Sequence, residues 1–386
     1  MLSRYIVPDM PSADQVIPYL RQIDDNRWYS NFGPLVTAFE ARLQQHLAAR
    51  DKGGKSAIAL TTLTTCYHAL QIGLQLFRLP PAAHVLIPAV TFPACPLAVR
   101  HAGAVPVLAD IDPVSWQLTP QQARRAATLM PIHAVMPVAV YGVPVDADAW
   151  DAFTEETGIP VIIDAAAALE AQAVPQHCLL AHSLHATKPF SVGEGGVLIS
   201  RRADWIEEAR CISNFGTRMR IAERDGSNAK MSEYHAAVAL AQFDRWDDNK
   251  QRRARMFAKC HSAIGKAGYA VDFQKGVERT IASALMLQVA QGKVDGVVKH
   301  MESEGIFAHR MYLPPLYKHP HFAALARIDD DGAVTAGAEA IAKKHAAMSG
   351  SEMLRGSVFG LPFHAFLDDG DIAFMLTCLG AALEKT

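Results

Sequence analysis

From Ser56 onward, short runs rich in Val, Ile and Leu alternate with stretches of helical periodicity, and this alternation narrows the fold more than any other feature. The runs are Ser56–Leu60, Val85–Ile87, Val105–Leu108, Ala134–Val140, Pro160–Ile163, Leu179–His182 and Val197–Ser200. They are nearly continuous in apolar residues, as expected of strands covered by helices on both faces. The second to fifth begin at 85, 105, 134 and 160, a spacing that fits β-α-β units. These positions predict an α/β domain built on a mostly parallel, seven-stranded sheet.

After Gly226 the pattern changes. Residues 231–264 carry apolar positions at i, i+3 and i+4 and become highly charged in their second half, which predicts one long helix linking two domains. Beyond about Gly268, strand-like pieces (Ala282–Gln288, Val358–Leu361) mix with helices such as Ile372–Leu383, the pattern of a smaller α+β domain. The expected division is a large domain over residues 1–245, with an N-terminal arm over 1–30, and a small C-terminal domain over 246–386.

Charge excludes some partners. With 37 Lys+Arg against 39 Asp+Glu the formal net charge is −2, and no basic tract stands out, so neither nucleic acid nor an acidic membrane is expected as a main partner. No stretch approaches the ~18 consecutive apolar residues of a membrane span, and Pro8, Asp9 and Pro11 interrupt the start before a secretory signal can form. The six cysteines contain no C-x-x-C pair and read as reduced thiols, which points to the cytoplasm.

Three motif-like runs fail on their spacing or surroundings. Gly54-Lys55-Ser56 lacks the glycine a phosphate-binding P-loop needs at position 49, which is Ala. The glycines at 193, 195 and 196 do not make a dinucleotide fingerprint, because position 198 is Leu and a strand follows where a helix is required. His319 and His321 have no Cys or carboxylate cluster near them in sequence, so no metal is expected.

Three other features carry chemistry. Asp164 ends the run VIID and so lies at the carboxyl edge of a buried strand, where open α/β sheets place ligands; a cap for the following segment fits it nearly as well. Lys188 lies in a polar turn between two strand candidates, with Pro189 directly after it and Ser183 and His185 just before. Thr91-Phe92 follows another strand, where an aromatic ring can lie flat on a planar ligand. A lysine amine, a carboxylate and a stacking ring are the parts pyridoxal phosphate chemistry requires: the lysine forms the Schiff base and the acid pairs with the ring nitrogen.

Over essentially its whole length the sequence resembles the DegT/StrS family of pyridoxal-phosphate-dependent sugar aminotransferases. The resemblance runs through NRWYSNFGPLVTAFEARL, IPAVTFPACPLAVRHAGAVPVLADID, VIIDAAAALEA, SLHATKPFSVGEGGVL, GSNAKMSEYHAAVALAQ and HRMYLPPLYKHPHF. It implies a fold type I homodimer with Lys188 as the Schiff-base lysine, Asp164 as the ring-nitrogen acid and Phe92 as the stacking ring. By the same resemblance Ser183 binds the phosphate, Asn228 reaches the partner's cofactor phosphate, and Trp28, Asn31, Tyr312 and Tyr317 lie on the substrate side. Cys66 and Tyr67 stand where the family usually has Gly-Thr against the phosphate; Ala167, Ala139, Val143 and Lys230 replace its usual polar residues and arginine.

The implied reaction is amino transfer from glutamate or glutamine to the keto group of a nucleotide-linked sugar. A sugar dehydratase of the same fold typically has His at the lysine position, so Lys188 argues for transamination. A non-sugar carbonyl acceptor in secondary metabolism and a regulatory paralogue that performs no catalysis are the remaining alternatives.

Overall fold

The computed structural model describes residues 2–51, 56–329, 332–337, 339 and 348–386. Its central strands are β1 (Ala59–Leu63), β2 (His84–Pro88), β3 (Val105–Ala109), β4 (Ala134–Val135), β5 (Ile162–Asp164), β6 (Leu179–Ser183) and β7 (Gly196–Ser200). β2 pairs in parallel with β3 and β4, and β5 with β6, whereas β7 runs antiparallel to β6 and to β1. The antiparallel step follows from the connection: Leu184–Gly195 contains no crossover helix, and a parallel return needs one. Bridges from Val135 to Val161 and from Val138 to Asp164 join the set β3-β2-β4 to the set β5-β6-β7-β1.

Helices cover both faces. These are α1 (Ala13–Asn26), α2 (Pro34–Arg50), α3 (Cys66–Leu76), α4 (Ala94–His101), α5 (Pro120–Leu129), α6 (Ala147–Thr157), α7 (Ala203–Ser213), α8 (Glu233–Asp244) and α9 (Trp246–Ala267). Alternate residues of each strand enter different cores. Ile163, Leu180, Val197 and Ile199 pack with Phe39 of α2, Trp150 of α6 and Leu240 of α8. Ile162, Leu179, Ala181 and Leu198 pack with Leu70 of α3, Val99 of α4 and Ile212 of α7. Two-sided burial is why the strands read as unbroken apolar runs.

Several sequence boundaries move. β1 begins at Ala59 rather than Ser56, because pairing with β7 starts at Ala59 opposite Ser200. The fourth strand, expected over Ala134–Val140, ends its ladder at Val135; Pro137 has no N–H to donate, and the chain turns into a short 3₁₀ segment at Val140–Gly142. The single long helix expected over residues 231–264 is two, since the chain leaves helical geometry at Arg245, between α8 and α9. Arg245 there reaches back to the Asp9 carboxylate at 2.8 Å.

Beyond α9, Asp272–Phe273, Leu285–Gln288 and Val358–Leu361 form an antiparallel sheet. It packs with Asp369–Lys385 and Val294–Ser303 in a third core that includes Phe359, Phe363, Met301 and Leu379. The stretch read as the small domain also extends the large sheet: Ala326–Ile328 pairs in parallel with β3.

Candidate active site

Three chain directions bring their polar ends to one edge. β5 and β6 end there in Asp164 and Ser183; β7, running the other way, begins there at Gly196; α3 begins there after β1. A cavity of 660 Å³ opens at this edge and is lined by Lys188, Asp164, Phe92, Ser183, Cys66, Tyr67 and Tyr312 among others. The sheet topology thus gathers seven of the residues singled out by sequence.

Asp164 is buried, and its two oxygens are held differently. Oδ1 accepts the Ala166 N–H at 3.0 Å and Oδ2 accepts the Cys95 thiol at 3.2 Å. The carboxylate therefore also fastens the turn after β5, so the capping role and the cavity-facing role coexist. Burial raises its pKa; the Cys95 and Ala166 hydrogen bonds and the Lys188 charge pull the other way.

Lys188 sits in the β6–β7 connection, where its N–H donates to the His185 carbonyl at 2.8 Å. The loop closes through Leu184 N to Gly195 O at 2.9 Å and Ala186 N to Gly193 O at 2.8 Å. Gly193 has φ +98°, a conformation that L side chains rarely adopt. Ser183 Oγ accepts the His185 N–H at 3.2 Å. His185 Nδ1 lies 2.9 Å from the Thr187 hydroxyl, and its Nε2 faces Glu194 at 3.6 Å.

The start of α3 forms a cradle. Thr65 caps it by accepting the His68 N–H at 3.2 Å, and the first backbone N–H groups of a helix have no intrahelical partner. They suit an anion, so helix geometry supplies donors although Cys66 and Tyr67 are not Gly-Thr. The Tyr67 hydroxyl is occupied by His101 Nδ1. The His68 ring nitrogen Nδ1 lies 2.8 Å from the Thr64 hydroxyl and 3.0 Å from that of Thr65. Burial pushes the Cys66 thiol pKa well up, and the Asp164 charge adds to this while Lys188 opposes it.

Aromatic rings form the opposite wall. Phe92 is 60% exposed into the opening and meets Tyr312 edge-on at 6.3 Å; Tyr312 stacks on Tyr141 at 5.3 Å. Burial and the Asp164 charge both push the Tyr312 phenol upward. The remaining wall includes Val138, Ala139, Val140, Ala167 and Leu313.

Three residues expected on the substrate side lie outside the cavity lining. Tyr317 is 6% exposed, donates its hydroxyl to Glu352 at 2.6 Å and lies under Arg327, so it belongs to the core. Trp28 and Asn31 sit exposed on the loop between α1 and α2. Asn228 is exposed outside the cavity and accepts from Lys230 Nζ at 2.8 Å. Conversely, Tyr5 and His319 line the cavity and Cys95 touches Asp164, none of which sequence reasoning placed there. Only Cys95 left a trace: it lies four residues after Thr91, one helical turn along the segment carrying Phe92.

Comparison with known proteins follows the same line. The sequence model of the DegT/DnrJ/EryC1/StrS aminotransferase family matches residues 12–354. Protein Rv3402c of Mycobacterium tuberculosis is 28% identical over 345 residues, covering 86% of this chain and 82% of its own. The UDP-2-acetamido-2-deoxy-3-oxo-D-glucuronate aminotransferase of Pseudomonas aeruginosa is 27% identical over 354 residues, covering 90% of each chain. Among solved structures, that of DesI in the presence of its TDP-sugar product superposes with a TM-score of 0.80 at 26% identity, over 100% of this chain and 93% of its own.

Proposed function

The chain belongs to the DegT/DnrJ/EryC1/StrS aminotransferase family, and from that membership we propose that it moves an amino group from glutamate or glutamine to the keto group of a nucleotide-linked sugar. It is a pyridoxal-phosphate-dependent aminotransferase. Three features support seating the cofactor in the 660 Å³ cavity: a buried carboxylate facing it, an aromatic ring left exposed within it, and a helix start held close to β7 by Gly196. The observation that carries the reading is that Lys188 and Asp164, 24 residues apart in sequence, face one cavity beside Phe92.

In this reading Asp164 holds a proton on the ring nitrogen, Phe92 stacks on the ring, and Ser183 with the first N–H groups of α3 binds the phosphate. When bound, pyridoxal phosphate draws electrons from the substrate α-carbon and carries the amino group between donor and acceptor. Lys188 anchors the cofactor; released, its amine takes the proton from the donor α-carbon and returns it to the neighbouring carbon of the cofactor. Tyr312 and Phe92 exclude water from one side.

A homodimer completes the site in this reading. Asn228 does not line its own cavity, and its neighbour Ser227 accepts the N–H of the exposed Phe215 at 2.9 Å. Asn228 then reaches a second copy's phosphate, and Trp28 and Asn31 contribute at the same seam. Among the described residues no helix is long and apolar enough to cross a membrane, and we place the enzyme in the cytoplasm.

One observation favours a second acceptor class. Val138, Ala139, Val140, Ala167 and Leu313 offer no side-chain hydrogen bonds to sugar hydroxyls, so a non-sugar carbonyl suits this wall as well. The visible spectrum of the purified protein beside that of Lys188→Ala tests the shared chemistry. A yellow band that glutamate bleaches, and that the variant lacks, is expected; no band in either protein after adding pyridoxal phosphate overturns the reading. Turnover of nucleotide-linked keto-hexoses against aryl ketones then separates the two acceptor classes.

A further inference from the structure

We propose that Cys95 is a positioning residue for Asp164, its thiol fixing the carboxylate in place and in charge for a cationic ring nitrogen. The inference rests on the pyridoxal phosphate reading of the cavity, and it concerns a residue that faces Asp164 from behind.

The geometry is a short, water-free chain of donors. Thr91 Oγ1 lies 3.1 Å from Cys95 Sγ, and Sγ lies 3.2 Å from Asp164 Oδ2. Thr91 is 2% exposed, Cys95 0% and Asp164 5%, so no solvent competes for these contacts. A thiol has one proton. Spent on Oδ2, it leaves sulfur as the acceptor of the Thr91 hydroxyl, so both protons point toward the carboxylate. If Asp164 is neutral the chain reverses, with the acid donating to sulfur and the thiol to Thr91. The polarity of Thr91 and Cys95 therefore reports the charge of Asp164.

Donor strength sets the purpose. Oδ1 is already held by the Ala166 N–H, so the thiol fixes the second oxygen and hence the plane of the carboxylate, leaving lone pairs free toward the cavity. A thiol is a weak donor; it orients the anion without quenching the basicity needed to keep a proton on the ring nitrogen. A hydroxyl in its place would bind the anion more strongly and make it less basic. The other groups facing Asp164 are Lys188 from the β6–β7 connection, Cys66 from the start of α3 and Tyr312 from the C-terminal region. Of these only Lys188 carries a positive charge, and it lies on the cavity side. As mere core filler, Cys95 would be exchangeable for Ala or Ser with effects on stability alone.

Infrared titration of the cofactor-free protein decides between these roles. With ¹³C-labelled aspartate, the carboxylic acid band that disappears in Asp164→Asn belongs to Asp164, and its pH midpoint can be followed in each variant. Cys95→Ala is expected to raise the midpoint by roughly one unit, the scale of one hydrogen bond to an ion. Cys95→Ser is expected to lower it, and Thr91→Val, which leaves Cys95 in place, to raise it by less than Cys95→Ala. In parallel, the dissociation constant for pyridoxal phosphate should rise roughly 3- to 10-fold in Cys95→Ala and return toward the parent value in Cys95→Ser. Unchanged midpoints in Cys95→Ala and Thr91→Val, with only a lowered melting temperature, overturn the proposal. If the parent protein binds no pyridoxal phosphate, the cofactor reading fails whatever the midpoints do, and the role given to Cys95 fails with it.

Discussion

Gly196 lies against the first turn of α3 so closely that a Cβ on it would sit 2.5 Å from the Cys66 backbone nitrogen and 2.3 Å from the Thr65 carbonyl oxygen. Nothing at that contact is a flexible side-chain tip; the overlap is with backbone. Gly196→Ala must therefore push the start of α3 away from β7, at a cost of about 1–3 kcal/mol or more. Because the proposed phosphate donors are the N–H groups of that same turn, affinity for pyridoxal phosphate is expected to fall at least about tenfold as well. Cofactor titration beside thermal melting checks this. A variant that loses stability while binding the cofactor normally would remove α3 from the phosphate site.

Phe92 and Tyr317 were both expected to serve the site, and the structure separates them. Phe92 is 60% exposed, so Phe92→Ala should change the stability of the cofactor-free protein by no more than about 0.5 kcal/mol. It should weaken cofactor binding by about 1 kcal/mol, or roughly fivefold, the scale of an aromatic pair. Tyr317→Phe should do the reverse. It deletes the hydrogen bond to Glu352, costing about 1 kcal/mol of stability, and leaves Glu352 paired with Lys318 and Arg355. Its kcat and KM should match those of the parent; a raised KM would return Tyr317 to the substrate side.

Residues at strand ends were legible because burial on both faces writes itself into the sequence. VIID and LLAHS mark β5 and β6, and the polar residue that closes each strand, Asp164 or Ser183, falls at the edge where the cavity opens. Boundaries were less legible where backbone geometry overrides composition: β4 stops because Pro137 breaks the ladder, and Arg245 leaves the helix although the apolar period runs on through it. Tyr5 joins the cavity because the first residues cross to the C-terminal sheet, with Phe363 N donating to Tyr5 O at 2.8 Å, a long-range contact no local pattern encodes. Tyr317 was misplaced for the opposite reason, since a core tyrosine with a buried hydroxyl partner has the same sequence signature as one that meets a substrate.

His182 and His309 set one acid limit of the fold. Burial lowers both to about 4, against an ordinary value of 6.5. Each therefore stays neutral in the folded protein while the unfolded chain takes up a proton, so stability is intact above pH 6.5 and falls as pH drops from 6.5 to 4. The loss reaches on the order of 3 kcal/mol for each ring at the lower end. His182→Asn, which retains a donor for the Ala165 carbonyl bound at 2.8 Å, should make the slope in that window shallower by about one proton. Urea midpoints measured from pH 7.5 to pH 4 read the difference. Parallel pH profiles for parent and variant would show that His182 is not among the groups responsible.

Glu170 sets a second limit, lower in pH and opposite in charge. Its carboxylate joins α2 to α9 across the loop after β5, with His46 Nε2 at 2.7 Å, Arg50 Nε at 2.9 Å, Lys250 Nζ at 2.8 Å and Trp246 Nε1 at 2.7 Å. Burial alone would raise its pKa, but the hydrogen bonds from Lys250, His46 and Trp246 outweigh that and hold it at about 2, against 4.5 ordinarily. A depressed carboxyl contributes stability that is complete above pH 4.5 and disappears as pH falls toward 2, on the order of 3 kcal/mol in all. Glu170→Gln takes the carboxylate from the partly exposed Arg50 and from Lys250, which keeps Asp247 at 2.8 Å, so at pH 7 it should cost about 3 kcal/mol, the charge-dependent part. Below pH 4.5 the gap between parent and variant should close, because protonation takes the same charge from the parent. Guanidinium unfolding of both proteins between pH 7 and pH 2.5 measures that gap, and a gap that stays constant would mean Glu170 acts through packing rather than through its charge.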